Sequence, residues 1–226
     1  MRPYIICHMI ASLDGRIDCE MVDKISGEND YYFSLEKLNC QSTLTGRVTA
    51  EHYFAEENAF VPKTKILAGK QEPFVATKAD AYSIMVDTYG KLRWLNNVDD
   101  GKSLLCIVSE KASQDYLNLL KEQKISYIVA GKDKIDFAYA TSILWDVFNV
   151  KRLALVGGGH INGAFLHAGL IDEVSYLLGT GIDGRANFAY SFDGIVDEKK
   201  EPTKLKLESV EKFESGVVFL RYSVCK

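Results

Sequence analysis

The sequence has little of what marks a disulfide scaffold, a metal centre, a membrane span or a nucleic-acid binder. Its five cysteines, Cys7, Cys19, Cys40, Cys106 and Cys225, are odd in number and form neither a C-x-x-C pair nor a Cys/His cluster. That excludes a disulfide framework and a structural zinc site, and no metal is expected. No apolar run approaches the roughly 20 residues that a bilayer-spanning helix needs. Residues 4–13 come nearest, but His8 interrupts them, and they lack the basic start and small-residue cleavage site of a signal peptide. They read as a first strand, in a cytoplasmic protein without membrane association. Positive charge is not in excess either: 27 Lys and Arg against 31 Asp and Glu give a net charge of -4, which argues against a nucleic-acid partner. Internal repeats and low-complexity segments are absent as well.

What the chain does have is enough apolar material for a full core. Its 226 residues are 47% hydrophobic and 26% charged, as in an ordinary globular protein, and read as one domain spanning residues 1–226. Residues 3–11 are apolar at nearly every position, the mark of a strand covered on both faces. A polar loop is expected over 19–28. A helix follows over 29–38, with Tyr32, Phe33, Leu35 and Leu38 on its apolar side. Strands at 42–45, 83–86, 104–109, 125–130, 153–156 and 171–178 then alternate with helices. The helices fall at 112–122, at 137–148 with Ile143, Leu144, Val147 and Phe148 inward, and at 161–168. A charged, irregular excursion over 56–80 holds Pro62 and Pro73. Such alternation implies crossover connections and a mainly parallel sheet. The tail differs: 204–210 alternates, Glu214-Ser215-Gly216 turns, and 217–224 returns as a hairpin. The expected class is α/β, a mainly parallel central sheet flanked by helices and ending in an antiparallel C-terminal hairpin.

Two strand-to-helix junctions carry the candidate chemistry. Leu153-Ala154-Leu155-Val156 runs into Gly157-Gly158-Gly159-His160-Ile161-Asn162-Gly163-Ala164-Phe165, a buried strand, a glycine turn and a helix start with Ile161, Ala164, Phe165, Ala168 and Leu170 suited to packing. Backbone without side chains, at a helix start with unpaired N–H groups, can hold a pyrophosphate. The spacing is G-x-G-x-x-x-G, and no acidic residue about 20 positions on completes a Rossmann fingerprint. The plainer alternative is a tight turn that needs positive φ. At Gly46-Arg47-Val48-Thr49, Thr49 can cap a helix and Arg47 can reach a phosphate bidentately; the alternative is a cap and a surface ion pair. Asp14-Gly15 is a turn dipeptide that equally suits a ligand-facing role.

Taken together, Ser12-Leu13-Asp14-Gly15-Arg16, Gly46-Arg47-Val48-Thr49, Val86-Asp87-Thr88, the stretch from Gly157 to Ala164, and Ala168-Gly169-Leu170-Ile171-Asp172-Glu173 resemble the reductase domain of bacterial riboflavin biosynthesis. That domain lies within the dihydrofolate-reductase-like superfamily, and the likeness runs over nearly the whole chain. It implies a dihydrofolate-reductase-like fold, NADPH as hydride donor, a small-molecule substrate and a homodimer. The resemblance sets the cofactor pyrophosphate against Gly158, Gly159, His160, Ile161, Asn162, Gly163 and Ala164. It makes Thr49, Thr88 and Tyr31 cofactor contacts, with Arg47 near the adenosine 2′-phosphate. Asn29, Lys37 and Val156 fall at substrate-binding positions.

Two departures stand out. Family members commonly carry glutamate where this chain has Val156. Losing a charged acceptor, typically worth about 1.5–3 kcal/mol, leaves the natural pyrimidine unfixed as substrate. The zinc deaminase signature H-x-E with P-C-x-x-C is missing, which excludes the bifunctional enzyme. The leading expectation is an NADPH-dependent reductase of a small heterocyclic or carbonyl/imine substrate, like 5-amino-6-(5-phosphoribosylamino)uracil reductase. A dihydrofolate reductase and an NADPH-binding protein or sensor without turnover are the alternatives. Among Asp14, Glu28, Asp30, Glu36, His8 and His160, Asp14 is the expected proton donor.

Overall fold

The computed structural model describes residues 1–225 apart from Ser26 and Phe54. The chain opens with β1 (Tyr4–Ala11), buried at seven of its eight positions as a continuous apolar run dictates. The expected loop after it contains a four-residue helix, α1 (Cys19–Val22). Helix α2 (Glu28–Lys37) follows Gly27, whose φ of +127° and closeness to Ile10 and Val217 leave no room for a side chain. Its inward face is the expected one only in part. Leu38 is buried and Leu35 partly buried as expected, but Tyr32 and Phe33 are half exposed and Ser34 is buried instead, its hydroxyl satisfied by the Asp30 carbonyl at 2.7 Å.

Next come β2 (Ser42–Gly46), α3 (Arg47–Tyr53), β3 (Tyr82–Val86), β4 (Val98–Asp99) and β5 (Lys102–Val108). The two-residue β4 escaped the sequence reading. Asp100 and Gly101, both at positive φ, turn it back on β5. Helix α4 (Gln114–Glu122) is capped by the Ser113 hydroxyl, and α5 (Phe137–Asp146) by the Asp136 carboxylate. Strand β6 (Ser126–Val129) lies between them and β7 (Arg152–Leu155) after them. On and after α5, Leu144 and Phe148 point inward as expected, but Val147 is exposed. Helix α6 (Gly159–His167), β8 (Glu173–Leu178), β9 (Leu205–Lys212) and β10 (Val218–Val224) complete the chain. Ala168, read as inward, is exposed just past the end of α6.

Two compact units result, residues 1–3 with 41–153 and residues 4–40 with 154–226. In the first, β2, β3, β5 and β6 pair in parallel, and β4 pairs antiparallel to β5. Met85, Trp94, Leu104, Tyr116, Leu120 and Tyr127 fill its core. In the second, β1 and β8 are parallel and β10 joins β8 to β9 in antiparallel fashion. Ile10, Leu177, Val217 and Phe219 pack there against Val22, Tyr31 and Phe213. The mainly parallel sheet with an antiparallel hairpin at its end is therefore present.

Candidate active site

At the glycine turn the structure separates two kinds of glycine. Gly157 takes φ +101°, the positive value only glycine adopts readily, and a Cβ there would come within 3.3 Å of the Met9 thioether. The peptide from Gly157 to Gly158 is cis. Gly158 is the N-cap of α6 at φ -78°, open to any residue, and offers no capping side chain. The helix starts at Gly159, two residues earlier than expected, so the first free N–H groups belong to Gly159 and His160. Neither donates to a described residue. Unpaired amides at a helix start are the kind of group that can hold an anion.

The stretch from Gly159 to Ala164, expected against the cofactor pyrophosphate, also packs on its own chain. A Cβ on Gly159 or Gly163 would strike the backbone carbonyls of Tyr190 and Asp193. Asn162 is fully buried and donates from Nδ2 to the Ser191 carbonyl at 2.7 Å. These residues serve close packing against the chain's own segment 189–193. That segment is held further by Asp193 N–H to the Gly159 carbonyl (3.0 Å), Ser191 N–H to the Gly15 carbonyl (3.1 Å) and the Tyr176 hydroxyl on Ser191 Oγ (2.5 Å). The Arg16 guanidinium lies 3.7 Å over the Tyr190 ring. Ile161 and Ala164 are partly buried, His160 is exposed beside Gly194, and Val156 is partly buried just before the turn.

Asp14 sits in the loop that segment 189–193 ties down, and its carboxylate is spoken for. Oδ1 accepts from the Ser12 hydroxyl at 2.6 Å and from the Asp183 N–H at 2.9 Å, and Oδ2 from the Gly184 N–H at 3.0 Å. The Ser12 hydroxyl first, then the two amides, hold the carboxyl well below the usual range. Such a group is ionised at neutral pH and has no proton to give, so the geometry speaks against Asp14 as the donor. His8 is no better placed: it is fully buried, with Nδ1 2.9 Å from Ser175 Oγ and Nε2 3.1 Å from the Tyr31 carbonyl. Burial pushes its pKa down to about 4. The imidazole is then neutral at pH 7, and since a carbonyl only accepts, Nε2 carries the proton and Ser175 donates to Nδ1.

The Tyr31 ring stacks on His8 at 4.5 Å, which ties α2 to β1. Asn29 is exposed in the first turn of α2, and the Lys37 ammonium lies 4.0 Å over the Phe33 ring. Ser26, which opens the stretch leading to Tyr31, lies outside the described residues.

In the first unit, Gly46 of β2 pairs with Val86 of β3, so Arg47 and Asp87 follow the carboxyl ends of adjacent parallel strands. Ligand crevices in open α/β sheets lie beyond such ends. Thr49 is the third residue inside α3 and caps nothing, because the helix begins directly at Arg47. Arg47 forms an exposed ion pair with Glu51 one turn on. Asp87, which the sequence reading passed over, is fully buried and accepts from the N–H groups of Lys91 (2.6 Å) and Leu92 (2.8 Å). Burial raises its pKa against the pull of those amides, the Tyr116 hydroxyl and the Arg47 charge. Thr88 is partly buried, and its hydroxyl bonds to no described residue.

Comparison with known proteins now bears on these features. Residues 3–219 match the RibD C-terminal domain. The protein belongs to that family. A curated relative, the 2,5-diamino-6-ribosylamino-4(3H)-pyrimidinone 5′-phosphate reductase of Methanothermobacter thermautotrophicus, is 28% identical over 211 residues, covering 92% of each chain. The fold is similar to that of a pyrimidine reductase-like protein from Corynebacterium diphtheriae, with a TM-score of 0.74 at 18% identity, over 99% of this chain and 92% of that one. It is also similar to the Saccharomyces cerevisiae riboflavin biosynthesis reductase Rib7, with a TM-score of 0.62 at 14% identity over 99% and 90%. The signals that could have flagged Asp87 and the 189–193 segment were a lone acid at a strand end and a Tyr-Ser pair in a loop.

Proposed function

We propose that the protein is an NADPH-dependent oxidoreductase of riboflavin biosynthesis, a single reductase module that reduces a ribosylaminopyrimidine 5′-phosphate. The observation that carries this reading is the match to the RibD C-terminal domain across residues 3–219. The reductase relative, aligned over 92% of both chains, names the substrate class. Nothing in the residues favours dihydrofolate or a role without turnover over this reading.

The residues fit a nicotinamide dinucleotide phosphate. Taken unit by unit, the free amides of Gly159 and His160 suit a pyrophosphate in one, and Thr88 in the other offers a hydroxyl that no described residue uses. Arg47 carries the charge that would recognise a 2′-phosphate, in exchange for its exposed pairing with Glu51. When bound, NADPH supplies the hydride, and the protein binds, orients and excludes water. The ribosylamino group has one carbon that hydride can reach while the pyrimidine stays intact, its anomeric carbon; hydride forms a C–H bond there, the bond from that carbon to the ribose ring oxygen breaks, and an open-chain polyol results. The released ring oxygen takes its proton from water, since Asp14 and His8 are both committed to structural hydrogen bonds.

We place the enzyme in the cytoplasm as a homodimer. Within the terminal hairpin, Val217 and Phe219 are buried in their own chain. Instead β9 is exposed at every position. Leu205, Leu207 and Val210 pair across to Val224, Tyr222 and Leu220, giving an apolar face on an edge hairpin. NADPH oxidation with the diaminopyrimidinone phosphate, its deaminated counterpart and dihydrofolate tests the substrate class. Turnover of dihydrofolate alone would replace this reading.

A further inference from the structure

Asp87 and Ser109 are both fully buried at the carboxyl ends of the neighbouring parallel strands β3 and β5, and both spend their side chains on one short stretch of backbone. Asp87 Oδ2 gathers the N–H groups of Lys91 and Leu92 at 2.6 and 2.8 Å, while the Asp87 carbonyl accepts from Gly90 N–H at 3.0 Å. Gly90 takes φ +67° and closes that turn against the Tyr116 ring, where a Cβ would come within 2.5 Å. From the other strand, Ser109 donates to the Thr88 carbonyl twice, from its hydroxyl at 2.7 Å and its N–H at 3.0 Å. The same hydroxyl accepts from Lys111 N–H at 3.2 Å. The Thr88 peptide is thereby fixed on both sides, which leaves the Thr88 side chain one rotation to choose. Its hydroxyl, partly buried, bonds to no described residue.

We propose that Ser109 and Asp87 are positioning residues: together they clamp the backbone around Thr88 so that its hydroxyl is aimed, pre-ordered, at an acceptor on the bound dinucleotide. This rests on the reading that the chain binds NADPH. Ordering the donor beforehand removes the conformational cost from the binding step, so losing the clamp weakens binding only through Thr88.

A double-mutant cycle on NADPH affinity, followed by nicotinamide fluorescence, tests this. Thr88→Val and Ser109→Ala should each raise the Kd about fivefold, the range of one hydrogen bond. Combined, they should bind no more weakly than Thr88→Val alone, because Ser109 has nothing left to aim. A merely structural Ser109 would instead multiply the two losses to about 25-fold, and that result overturns the proposal. So does wild-type affinity in Thr88→Val. Asp87→Ala in the same two backgrounds gives a second cycle that does not depend on Ser109→Ala folding, with thermal melting as the check on each variant. If the wild-type protein binds no NADPH, the functional reading falls and this inference with it. If the wild type binds and the cycles are additive, only the inference falls.

Discussion

Asp14 shows how one residue can satisfy a turn pattern and mislead about chemistry. Its carboxylate gathers a hydroxyl and two amides from loops far apart in sequence, and its folded pKa is lowered. A carboxyl lowered in this way stabilises the fold above its unfolded value of about 3.9, and that contribution is lost as pH falls below it. Asp14→Asn should therefore melt earlier than wild type at pH 7, with the gap closing as the pH is taken below about 4. Its kcat should stay within about twofold, whereas loss of a proton donor would cost on the order of 100-fold or more. Arg47 is a second test at this scale. The ion pair with Glu51 is exposed and stabilises little. Arg47→Ala should leave melting unchanged and erase a preference for NADPH over NADH. Equal affinities in the wild type would remove Arg47 from the cofactor site. The role of Asp14 was not legible beforehand, because its partners Asp183 and Gly184 lie about 170 positions away along the chain, whereas the surface ion pair of Arg47 was among the readings its local spacing allowed.

At the scale of elements, the sequence was most readable where local pattern and tertiary demand agree. β1 announces itself by an unbroken apolar run, and the terminal hairpin by its alternation. The glycine turn was placed correctly, yet its glycines divide in a way that no local pattern shows. Gly159 and Gly163 are small because the 189–193 segment lies on them, and that segment has no regular structure to betray it. α2 was found but its faces were misjudged, since a serine that bonds its own backbone can be buried while Tyr32 and Phe33 stay out. Two substitutions five residues apart separate packing from binding. Gly163→Ala meets the Asp193 backbone and should lower the melting temperature by several degrees, the shift expected for about 1–2 kcal/mol. Gly158→Val, at an ordinary φ, should weaken NADPH more than tenfold, on the order of 1.4 kcal/mol, in protein that still melts cooperatively. Normal cofactor affinity in folded Gly158→Val would return the turn to a purely structural role.

For the whole molecule, the apolar face on β9 and β10 is left exposed by the described residues. In sedimentation the 25.3 kDa chain should run as a dimer at micromolar concentration, and Leu207→Lys should shift it toward monomer. A wild-type monomer would contradict the pairing. The central claim is the transfer of hydride to a ribosylaminopyrimidine phosphate, and it is met most directly by following the hydride itself. With NADPH deuterated at the nicotinamide C4, incubation with 2,5-diamino-6-ribosylamino-4(3H)-pyrimidinone 5′-phosphate should yield a ribitylamino product carrying one deuterium on the former anomeric carbon. Recovery of the substrate unreduced, with the protein folded and the cofactor bound, would contradict the account.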